Sequence, residues 1–573
     1  MSKIRLHQTY EVQTIRDMLL HNVAHHGQRP AFLKKEIKAG PYIEVSFQTF
    51  YEEVRALGTK LLDLGLGRSK IALIGENSYE WILSYFAIVC GAGIVVPIDK
   101  ELSRDEILHL IKTAGCDGVI YSDSYEAYFR EAPIKIKVNM KAARDFPRDF
   151  SLRQLISDGK RLREEGFDLY EKAVIDPDAM AVLLFTSGTT DSAKGVMLSN
   201  RNIISNVIAT NQIVKVYPTD RTLSVLPIHH TFECTIGIMV PLYAGGSVAF
   251  CEGLKHIAKN LVESQTTVFV AVPLLLETIY GRIVKNAKKQ GKYDKMLKAA
   301  AFNRKMKKVG VDLSKKLFRE VHQTFGGKLR LLVTGAAGID PGVIRGFEDL
   351  GLQVVQGFGL TECSPLVTGT PDTCDTYAKA GSVGPAIPGT KVRIDGAGED
   401  GVGEILCQGP GVMLGYYENQ PLTDMVMEDG WFHTGDLGYL DQEGFLYIAG
   451  REKNVIVTKN GKNVYPEEVE FYLNKSDYIQ ECMVEGVYDP KDGDTKIGVQ
   501  IYPDYQVIHD QFGEDVTDEE ILKLLKETVD HLNETMPIYK RVRSVILKKE
   551  EFVKTTTKKI KRYANRVGEE SRK

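Results

Sequence analysis

The sequence predicts an α/β fold with a large N-terminal domain of layered subdomains and a small, mobile α+β C-terminal domain. Through the first 450 residues, apolar strand-like runs alternate with helical patterns, as in layered sheets with largely parallel strands. After about Gly381, short strands separated by Gly and Asp predict a small β-barrel-like unit. A chain of 573 residues is too long for a single core. We therefore expect an N-terminal domain over 1–450 and a C-terminal domain over 451–573.

Each predicted element has a local signal. Buried strands are indicated at Lys70–Gly75, Gly93–Ile98, Ala181–Thr186, Thr267–Pro273, Leu329–Gly335 and Leu352–Gly359. Helices are indicated by NSYEWILSYFAIVCGAG, by RDEILHLIKTAG and by the capping box that begins at Thr517. The uncharged residues 234–251 contain Gly, Pro and Ser and fall short of the roughly 20 apolar residues of a membrane span. They predict a buried helix, turn and strand.

The composition argues against nucleic-acid binding, a cysteine zinc site and a disulfide framework. The net charge of −3 shows no global basic excess, so no nucleic-acid partner is expected. The 8 cysteines form no C-x-x-C pair, which argues against a zinc site or a disulfide framework. Reduced thiols and a start without a signal-peptide pattern predict a cytoplasmic protein.

A loop rich in hydroxyls follows the strand AVLLF. Residues 186–195 read TSGTTDSAKG, and GVMLS after the lysine resembles a second strand. Glycines allow close backbone approach to a ligand, and N–H groups with hydroxyls can surround phosphate oxygens. The spacing is not that of a Walker A loop. The loop therefore predicts a polyphosphate clamp between two strands, with a plain surface turn as the alternative.

This loop resembles the signature loop of the acyl-adenylate-forming (AMP-binding) superfamily. Five further segments resemble that family's motifs in the same order: LPIHHTFE, TGAAGID, GFGLTE, GWFHTGDLG and GREKNVIVTKNGKNVYPEEVE, followed by the tail TTTKKIKR. The form L-P-x-x-H-x-F-E is closest to long-chain fatty acid:CoA ligases. The resemblance covers Thr186 to Arg562, and the preceding residues fit the family's N-terminal subdomain in length and pattern.

The resemblance implies roles for individual residues. Catalytic roles fall on Lys559, Glu362, Thr361 and His230, and Mg²⁺ binding falls on Glu362 and Thr186. ATP or AMP binding falls on Thr186, Ser187, Gly188, Thr189, Thr190, Lys194, Gly335, Ala336, Gly357, Phe358, Gly359, Asp436 and Arg451. Lys453 corresponds to the hinge and Gly461 to the CoA tunnel. His229 is expected to be incidental, and a lone histidine such as His230 is more often a packed core residue.

Three departures from the family pattern bear on these assignments. Asp191 stands where the family usually has glycine, and a carboxylate that pointed inward would repel a triphosphate. Ala193 replaces a common proline. Lys558 stands where the family often has glycine, so the catalytic lysine could be displaced by one position from Lys559.

The expected function is ATP-dependent activation of a long-chain fatty acid to acyl-AMP, followed by thioester formation with CoA. Two alternatives stay open: transfer of the acyl group to an acyl carrier protein, and a non-catalytic acyl- or nucleotide-binding homologue. The segment 285–330 contains 15 Lys or Arg and 3 Asp or Glu residues. It indicates a solvated helical face, a peripheral contact with the anionic inner face of a membrane, or a dock for an acidic carrier protein.

Overall fold

The protein is described by a computed structural model. The structure describes residues 4–142, 149–186, 193–458, 462–489, 494–554 and 559–566. The chain divides into two compact units. The first unit comprises Met1–Val392, Cys407–Phe432 and Asp441–Leu446, and the second comprises Arg393–Leu406, His433–Leu440 and Tyr447–Lys573.

The first unit contains two eight-stranded sheets. In spatial order, one sheet consists of Leu366–Gly369, Gln353–Gly359, Leu331–Thr334, Val268–Ala271, Arg221–Ser224, Ser247–Phe250, Pro30–Lys34 and Ile43–Ser46. Its six inner strands are parallel, and an antiparallel strand closes each edge. The inner strands are buried on both faces, as their continuous apolar runs predict.

The second eight-stranded sheet has the same mixed character. Its spatial order is Gly415–Tyr416, Lys194–Ser199, Met180–Thr186, Gly93–Pro97, Ser69–Ile74, Gly118–Tyr121, Ile136–Asn139 and Phe150–Ser151. The strands from Met180–Thr186 to Phe150–Ser151 are parallel, whereas the first two strands run antiparallel to their neighbours.

Helices cover both sheets. The α-helices of the first unit are Ile15–His26, Phe47–Asp63, Tyr79–Ala87, Arg104–Ala114, Glu126–Phe129, Leu152–Glu164, Asn200–Ile213, Val240–Tyr243, Ile257–Ser264, Pro273–Lys289, Tyr293–Lys307, Ser314–Leu317, Arg319–Thr324, Pro341–Asp349 and Gln420–Val426. Two π-helices, Ile88–Ala92 and Phe232–Met239, and three 3₁₀ turns, Asp123–Tyr125, Leu254–His256 and Thr361–Cys363, complete this set.

A five-stranded sheet is formed by strands from residues 391–451. Its strands are Lys391–Asp395, Gly403–Gln408, Trp431–Leu440, Met427–Glu428 and Leu446–Arg451. The rest of the second unit has the strand pair Ile456–Val457 and Asn463–Val464, and the three-stranded sheet Ile479–Asp489, Asp494–Pro503 and Val542–Leu547. Its helices are Glu452–Asn454, Pro466–Leu473, Tyr505–Phe512, Asp518–Thr535, Ile538–Lys540 and Arg562–Asn565.

The structure confirms the predicted fold class. The parallel inner strands, the small sheet after Gly381 and the α+β end segment all form. Thr517 caps the helix Asp518–Thr535 with both hydrogen bonds of a capping box. Residues 234–251 form part of a buried π-helix, a short α-helix and a strand. Within the described ranges, none of the helices has the length and apolarity that crossing a membrane requires.

Candidate functional site

The site residues of the first unit follow the carboxyl ends of parallel strands. Thr186 ends one strand of the second sheet, and Asp99 follows its neighbour Gly93–Pro97. In the other sheet, Gly335 follows Leu331–Thr334, and Glu362 follows Gln353–Gly359. Open α/β sheets bind ligands at this edge because the loops there converge. The topology therefore gathers residues that are far apart in sequence.

The two sides of the predicted phosphate loop are adjacent. Thr186 pairs directly with Lys194 at the end of an antiparallel ladder, and Ser199 caps the helix Asn200–Ile213. The strand–loop–strand arrangement predicted from sequence is therefore present. Ser187, Gly188, Thr189, Thr190 and Asp191, which are also part of the sequence prediction, lie outside the described residues.

The segment GFGLTE is a strand that ends in a tight turn. An added Cβ at Gly359 would lie 1.9 Å from the Pro365 backbone oxygen, and one at Gly357 would lie 2.8 Å from the Thr368 oxygen. Neither position therefore has room for a side chain. Phe358, between them, is buried. The glycines let the two strands approach, and this approach fixes the turn that presents Glu362.

Glu362 and Lys194 meet through Tyr416. The Tyr416 hydroxyl donates a 2.9 Å hydrogen bond to Oε1 of Glu362. Burial, with the Glu362 charge beside it, raises the pKa of Tyr416 well above its ordinary value, so the phenol stays a donor. The ammonium of Lys194 lies 5.2 Å from the centre of the Tyr416 ring, within cation–π range. Tyr416 thus contacts a carboxylate through its hydroxyl and a cation through its ring.

The Asn206 side chain holds the turn that follows Glu362. Its amide nitrogen donates 3.0 Å hydrogen bonds to the backbone oxygens of Cys363 and Leu366, and its amide oxygen accepts one from the Leu366 N–H. Asn206 is buried on the helix Asn200–Ile213. One side chain therefore satisfies three backbone groups of the turn after Glu362, which holds the turn in a single conformation.

Gly335 and Ala336 follow the adjacent strand. An added Cβ at Gly335 would lie 3.2 Å from the Gly357 oxygen and 3.3 Å from the Phe232 ring, so Gly335 contacts both the GFGLTE strand and the segment after His230. Ala336 has a φ of 70°. A left-handed alanine is strained and is found most often at functional positions.

The LPIHHTFE segment is a turn followed by the π-helix Phe232–Met239. The Asn77 side chain donates a 2.6 Å hydrogen bond to the Leu226 oxygen and accepts one from the Ile228 N–H. This contact places His229 beside Asp99, with 3.6 Å between Nε2 and Oδ2. The rings of His229 and His230 lie 4.2 Å apart. Burial lowers the pKa of His229 well below its usual range.

Glu233 is a fully buried carboxyl group in the same segment. Burial raises its pKa to about 8, so the group is mainly neutral at pH 7. The nearby Ser224 hydroxyl opposes this shift, but neither carboxyl oxygen has a partner within hydrogen-bond geometry. A protonated Glu233 would not repel a carboxylate ligand, whereas an ionised one would.

In the second unit, Asp436 and Arg451 form an ion pair at 2.9 Å. Asp436 is buried, and its segment is fixed by Glu404, which accepts from the Gly435 N–H at 2.9 Å. Gly435 has a φ of 67°, which glycine adopts without strain. Lys453 is exposed in the 3₁₀ turn Glu452–Asn454, directly after Arg451.

Lys559 interacts electrostatically with Asp436 and Arg451. The residue is exposed at the surface, yet protein atoms crowd its ammonium group. This desolvation lowers the pKa of Lys559; the Arg451 charge lowers it further, and the Asp436 carboxylate opposes both effects. The structure therefore brings together three predicted residues of the second unit. Lys558 and Gly461 lie outside the described residues.

Sequence reasoning missed the residues that position this site. Tyr416, Asn206, Asn77 and Asp99 were not singled out, because each reaches its partner across the fold. The only local signal was weak: Tyr416 follows a glycine in the run GVMLGYY. An aromatic residue after glycine is too common to indicate a site.

Comparisons with known proteins identify the family of this chain. Residues 19–417 match the family described as AMP-binding enzyme, and residues 453–566 match the AMP-binding enzyme C-terminal domain. The chain is 30% identical over 486 residues to long-chain-fatty-acid–CoA ligase 6 of Rattus norvegicus, covering 78% of this chain and 68% of the relative. It is 27% identical over 504 residues to the peroxisomal long chain acyl-CoA synthetase 7 of Arabidopsis thaliana, covering 83% and 72%.

Solved structures share the fold. ATP-bound MatB from Rhodopseudomonas palustris superposes with a TM-score of 0.74 at 23% identity, covering 96% of this chain and 98% of that chain. The o-succinylbenzoate CoA synthetase MenE from Bacillus subtilis, in complex with its acyl-adenylate, gives 0.73 at 20% identity with the same coverage. At these identities the likeness establishes the architecture and leaves the acid substrate to other arguments.

Proposed function

Since this chain belongs to the AMP-binding enzyme family and is an adenylate-forming acid:CoA ligase, we propose that its acid is a long-chain fatty acid. The reaction has two halves. The fatty acid carboxylate attacks the α-phosphorus of ATP and pyrophosphate leaves. The thiol of CoA then attacks the acyl carbon and AMP leaves.

The L-P-x-x-H-x-F-E form of residues 226–233 carries the choice of acid, and a small apolar cavity beside it supplies an apolar wall. The cavity has a volume of about 30 Å³ and lies between the inner strands of the first sheet and the π-helix Phe232–Met239. Its lining includes Ile236, Val268, Val270, Leu331 and Val333. Ile236 lies one helical turn after Phe232, which contacts Gly335. At about 30 Å³ the cavity is too small for a long hydrocarbon tail, so a tail that extends from a carboxylate near His230 must displace these apolar side chains. The burial of each methylene among them would be favourable by about 0.8 kcal/mol.

The curated relatives favour a long-chain fatty acid, whereas the superposed structures include ligases of other acids. Several curated relatives are named long-chain ligases, whereas the superposed structures include an o-succinylbenzoate and an anthranilate ligase. An aromatic acid needs polar groups placed around its ring substituents. The cavity offers apolar side chains together with the hydroxyls of Thr210 and Thr222, which suits an alkyl tail better.

We assign a role in the adenylation chemistry to each candidate residue. Lys559 supplies positive charge to the carboxylate and α-phosphate, where negative charge develops in the transition state. Thr361 contacts the α-phosphate, and His230 positions the acid. Lys194, with Thr186 and the loop residues Ser187, Gly188, Thr189 and Thr190, binds the β- and γ-phosphates.

We assign nucleoside binding to glycine-rich backbone, one aromatic ring and one carboxylate. Gly335, Ala336, Gly357 and Gly359 form the backbone surface against which adenine lies, and Phe358 provides an aromatic face. Asp436 accepts hydrogen bonds from the ribose hydroxyls, because a carboxylate offers two acceptor oxygens. Arg451 exchanges its ion pair with Asp436 for a contact with the nucleotide.

Glu362 suits a magnesium ion. Tyr416 engages only Oε1 of the carboxylate, so Oε2 can coordinate a hard cation together with the Thr186 hydroxyl and phosphate oxygens. A bound Mg²⁺ would neutralise triphosphate charge. The protein's part is to hold the carboxylate: Tyr416 fixes its rotamer, and Asn206 fixes the turn behind it.

Thioester formation requires a different arrangement of the same residues. We propose that residues 451–573 form a mobile domain that rotates at Lys453. The rotation removes Lys559 and brings the Gly461 segment to the pantetheine arm of CoA. Hinges of this kind absorb backbone change at a few residues.

Mass spectrometry of one reaction series tests the proposed function. The enzyme is mixed with ATP, Mg²⁺ and a pool of C6–C18 fatty acids, with either CoA or holo-acyl carrier protein. We expect long-chain acyl-CoA and stoichiometric AMP. An adenylate that forms only with aromatic or dicarboxylic acids would contradict the long-chain assignment, and the absence of any adenylate would favour a non-catalytic homologue.

Transfer to an acyl carrier protein is a second candidate, favoured by the basic helices. Pro273–Lys289 and Tyr293–Lys307 expose many lysines, and carrier proteins of this kind are acidic, which would steer them to this face. In the same reaction series, an adenylate that persists with CoA and disappears with carrier protein would identify this acceptor.

We also propose that these helices contact an anionic membrane. Leu297, Phe302 and Val309 are exposed beside the lysines, with 46%, 51% and 71% of their surfaces accessible. Apolar side chains within a basic face are typical of a peripheral membrane contact. Several lysines here have no acidic partner among the described residues: Lys285, Lys289, Lys295, Lys298, Lys305 and Lys308.

Reversal of four of these charges is expected to weaken vesicle binding. The variant replaces Lys289, Lys295, Lys298 and Lys305 with glutamate. Each lysine near an anionic surface contributes about 1 kcal/mol, so sedimentation with phosphatidylserine vesicles at low salt should fall at least tenfold. A matched variant reverses four scattered, exposed lysines: Lys112, Lys160, Lys391 and Lys526. Equal loss in both variants, or binding that ignores salt, would leave only a solvated helical face.

A further inference from the structure

Three potential metal ligands converge beside the candidate acid site. A carboxylate oxygen of Asp99 and one ring nitrogen from each of His229 and His230 lie within 4.8 Å of one another. Among the residues that the structure describes, this is the only such group of three His, Cys, Asp or Glu side chains. We propose that Asp99, His229 and His230 form a binding site for a divalent transition-metal ion of the zinc type.

The distance between Asp99 and His229 fits two ligands of one ion. Oδ2 and Nε2 are 3.6 Å apart, which is too long for a hydrogen bond. Two ligands that each lie about 2.1 Å from a tetrahedral ion are separated by roughly 3.4 Å. The spacing observed therefore leaves room for an ion between the two atoms.

His229 has a buried ring nitrogen that the protein leaves unsatisfied. The residue is 7% exposed, and its Nε2 atom has no hydrogen-bond partner. Buried polar atoms almost always have a partner, so an exception needs an explanation. Coordination of an ion shared with Asp99 would supply the missing partner.

The surrounding contacts orient the ligands in advance. Oδ1 of Asp99 accepts a 2.9 Å hydrogen bond from the Glu101 N–H, which fixes the carboxyl plane, while Oδ2 faces His229. Asn77 holds the turn that presents both histidines. Lys100 is a positive charge close enough to act on His229, and it pairs with Glu101 at 3.7 Å. Ligands held by such outer contacts lose little freedom on binding.

The donor set selects the class of ion. Two imidazoles and one carboxylate suit zinc, iron, nickel or copper, whereas magnesium prefers oxygen ligands. Three protein ligands leave a fourth position open, as in zinc sites that admit water or substrate. The site is therefore distinct from the magnesium site proposed at Glu362.

If the proposed function is right, a metal ion bound at this site affects adenylation. His230 positions the fatty acid during adenylation, and a bound ion would hold its ring nitrogen. The ion's open position would also attract the fatty acid carboxylate. Zinc should thus inhibit acid activation by competing at His230, without changing ATP affinity.

Cobalt(II) is the direct probe of the site. The full-length enzyme is treated with a chelator, dialysed and titrated with Co²⁺ in the absence of ATP and acid. We expect one equivalent to give the visible absorption of four-coordinate cobalt, and Zn²⁺ to displace it. Asp99→Asn and His229→Gln should each weaken binding at least tenfold. This readout is independent of ligase activity, so failure of the proposed function would not affect it.

A control excludes surface chelation by other histidines. The rings of His21 and His25 stack at 4.1 Å on the first helix, and such a pair could bind an ion on its own. The double variant H21A/H25A should therefore retain the cobalt spectrum. Loss of the spectrum in this variant, or unchanged affinity in both Asp99→Asn and His229→Gln folded proteins, overturns the proposal. Pyrophosphate-exchange assays should show zinc inhibition of the wild type and at least tenfold weaker inhibition of Asp99→Asn.

Discussion

Replacement of Lys559 with alanine is expected to lower the rate of adenylation about 10²–10³-fold, the usual loss when one preorganised transition-state donor is removed. Thioester formation from supplied acyl-AMP should be nearly unchanged, because the proposed second arrangement no longer uses this lysine. Adenylation is measured by ATP–pyrophosphate exchange and thioester formation by the release of AMP from synthetic acyl-AMP with CoA. Equal loss of both halves in a folded variant would contradict the proposed role.

Two neighbouring lysines serve as controls. Lys561→Ala changes the same basic tail outside the family's lysine position and should leave both half-reactions within a few-fold of wild type. Lys558→Ala decides the one-position alternative. If Lys558→Ala abolishes adenylation while Lys559→Ala does not, the catalytic lysine has been assigned one residue too late.

The lowered pKa of Lys559 also predicts a pH profile. Desolvation and Arg451 disfavour its charged form, so the proton is lost at a lower pH than from an ordinary lysine of pKa about 10.4. Because the charged form is the active one, kcat/KM for adenylation should fall as pH rises through this lowered value. In Lys559→Arg, residual activity should not show that alkaline decline, since arginine stays protonated.

Replacement of Glu362 with glutamine is expected to reduce Mg²⁺-dependent turnover by about 10²-fold or more and to raise the Mg²⁺ concentration needed for half-maximal rate. The amide oxygen can still accept the hydrogen bond from Tyr416, so the turn should stay intact while the metal loses an anionic ligand. Steady-state rates are measured over a magnesium titration at saturating ATP. Unchanged rates and an unchanged half-maximal concentration would remove Glu362 from the metal site.

The variant Tyr416→Phe tests whether the site depends on the charge of Glu362 or on its hydrogen bond to Tyr416. This variant keeps the carboxylate and removes only the hydroxyl that orients it. We expect a smaller loss, about 10-fold, with magnesium dependence close to that of the wild type. A loss as large as that of Glu362→Gln would show that orientation, and not charge, is what the site requires.

Local signals in the sequence were sufficient for most elements. The antiparallel pair around the phosphate loop was predicted from AVLLF, the hydroxyl-rich loop and GVMLS, and Thr186 indeed pairs with Lys194. The helix after Thr517 was predicted from four consecutive residues. Hydrophobic runs, caps and turn residues act over a few positions, so they can be identified without knowledge of the fold.

The family resemblance added predictions for the candidate site residues. Asp436, Arg451 and Lys559 were selected by their motifs, and the structure places the first two in one ion pair and the third in their electrostatic field. The sequence suggested that His229 is incidental, whereas we now propose that it binds a metal ion. The sequence could not indicate this role, because the contact of His229 with Asp99 has no signal in the local sequence.

The sequence by itself determined the fold class, the order of the elements and the family to which the chemistry belongs. Only the tertiary structure decided which side chains hold the site: Tyr416 on Glu362, Asn206 behind the turn, and Asp99 beside His229. These partners are separated by 54 or more residues. The physical reason is that parallel strands bring their carboxyl ends together across the sheet, so the pairs that meet there are set by strand order and register, which no short stretch of sequence encodes.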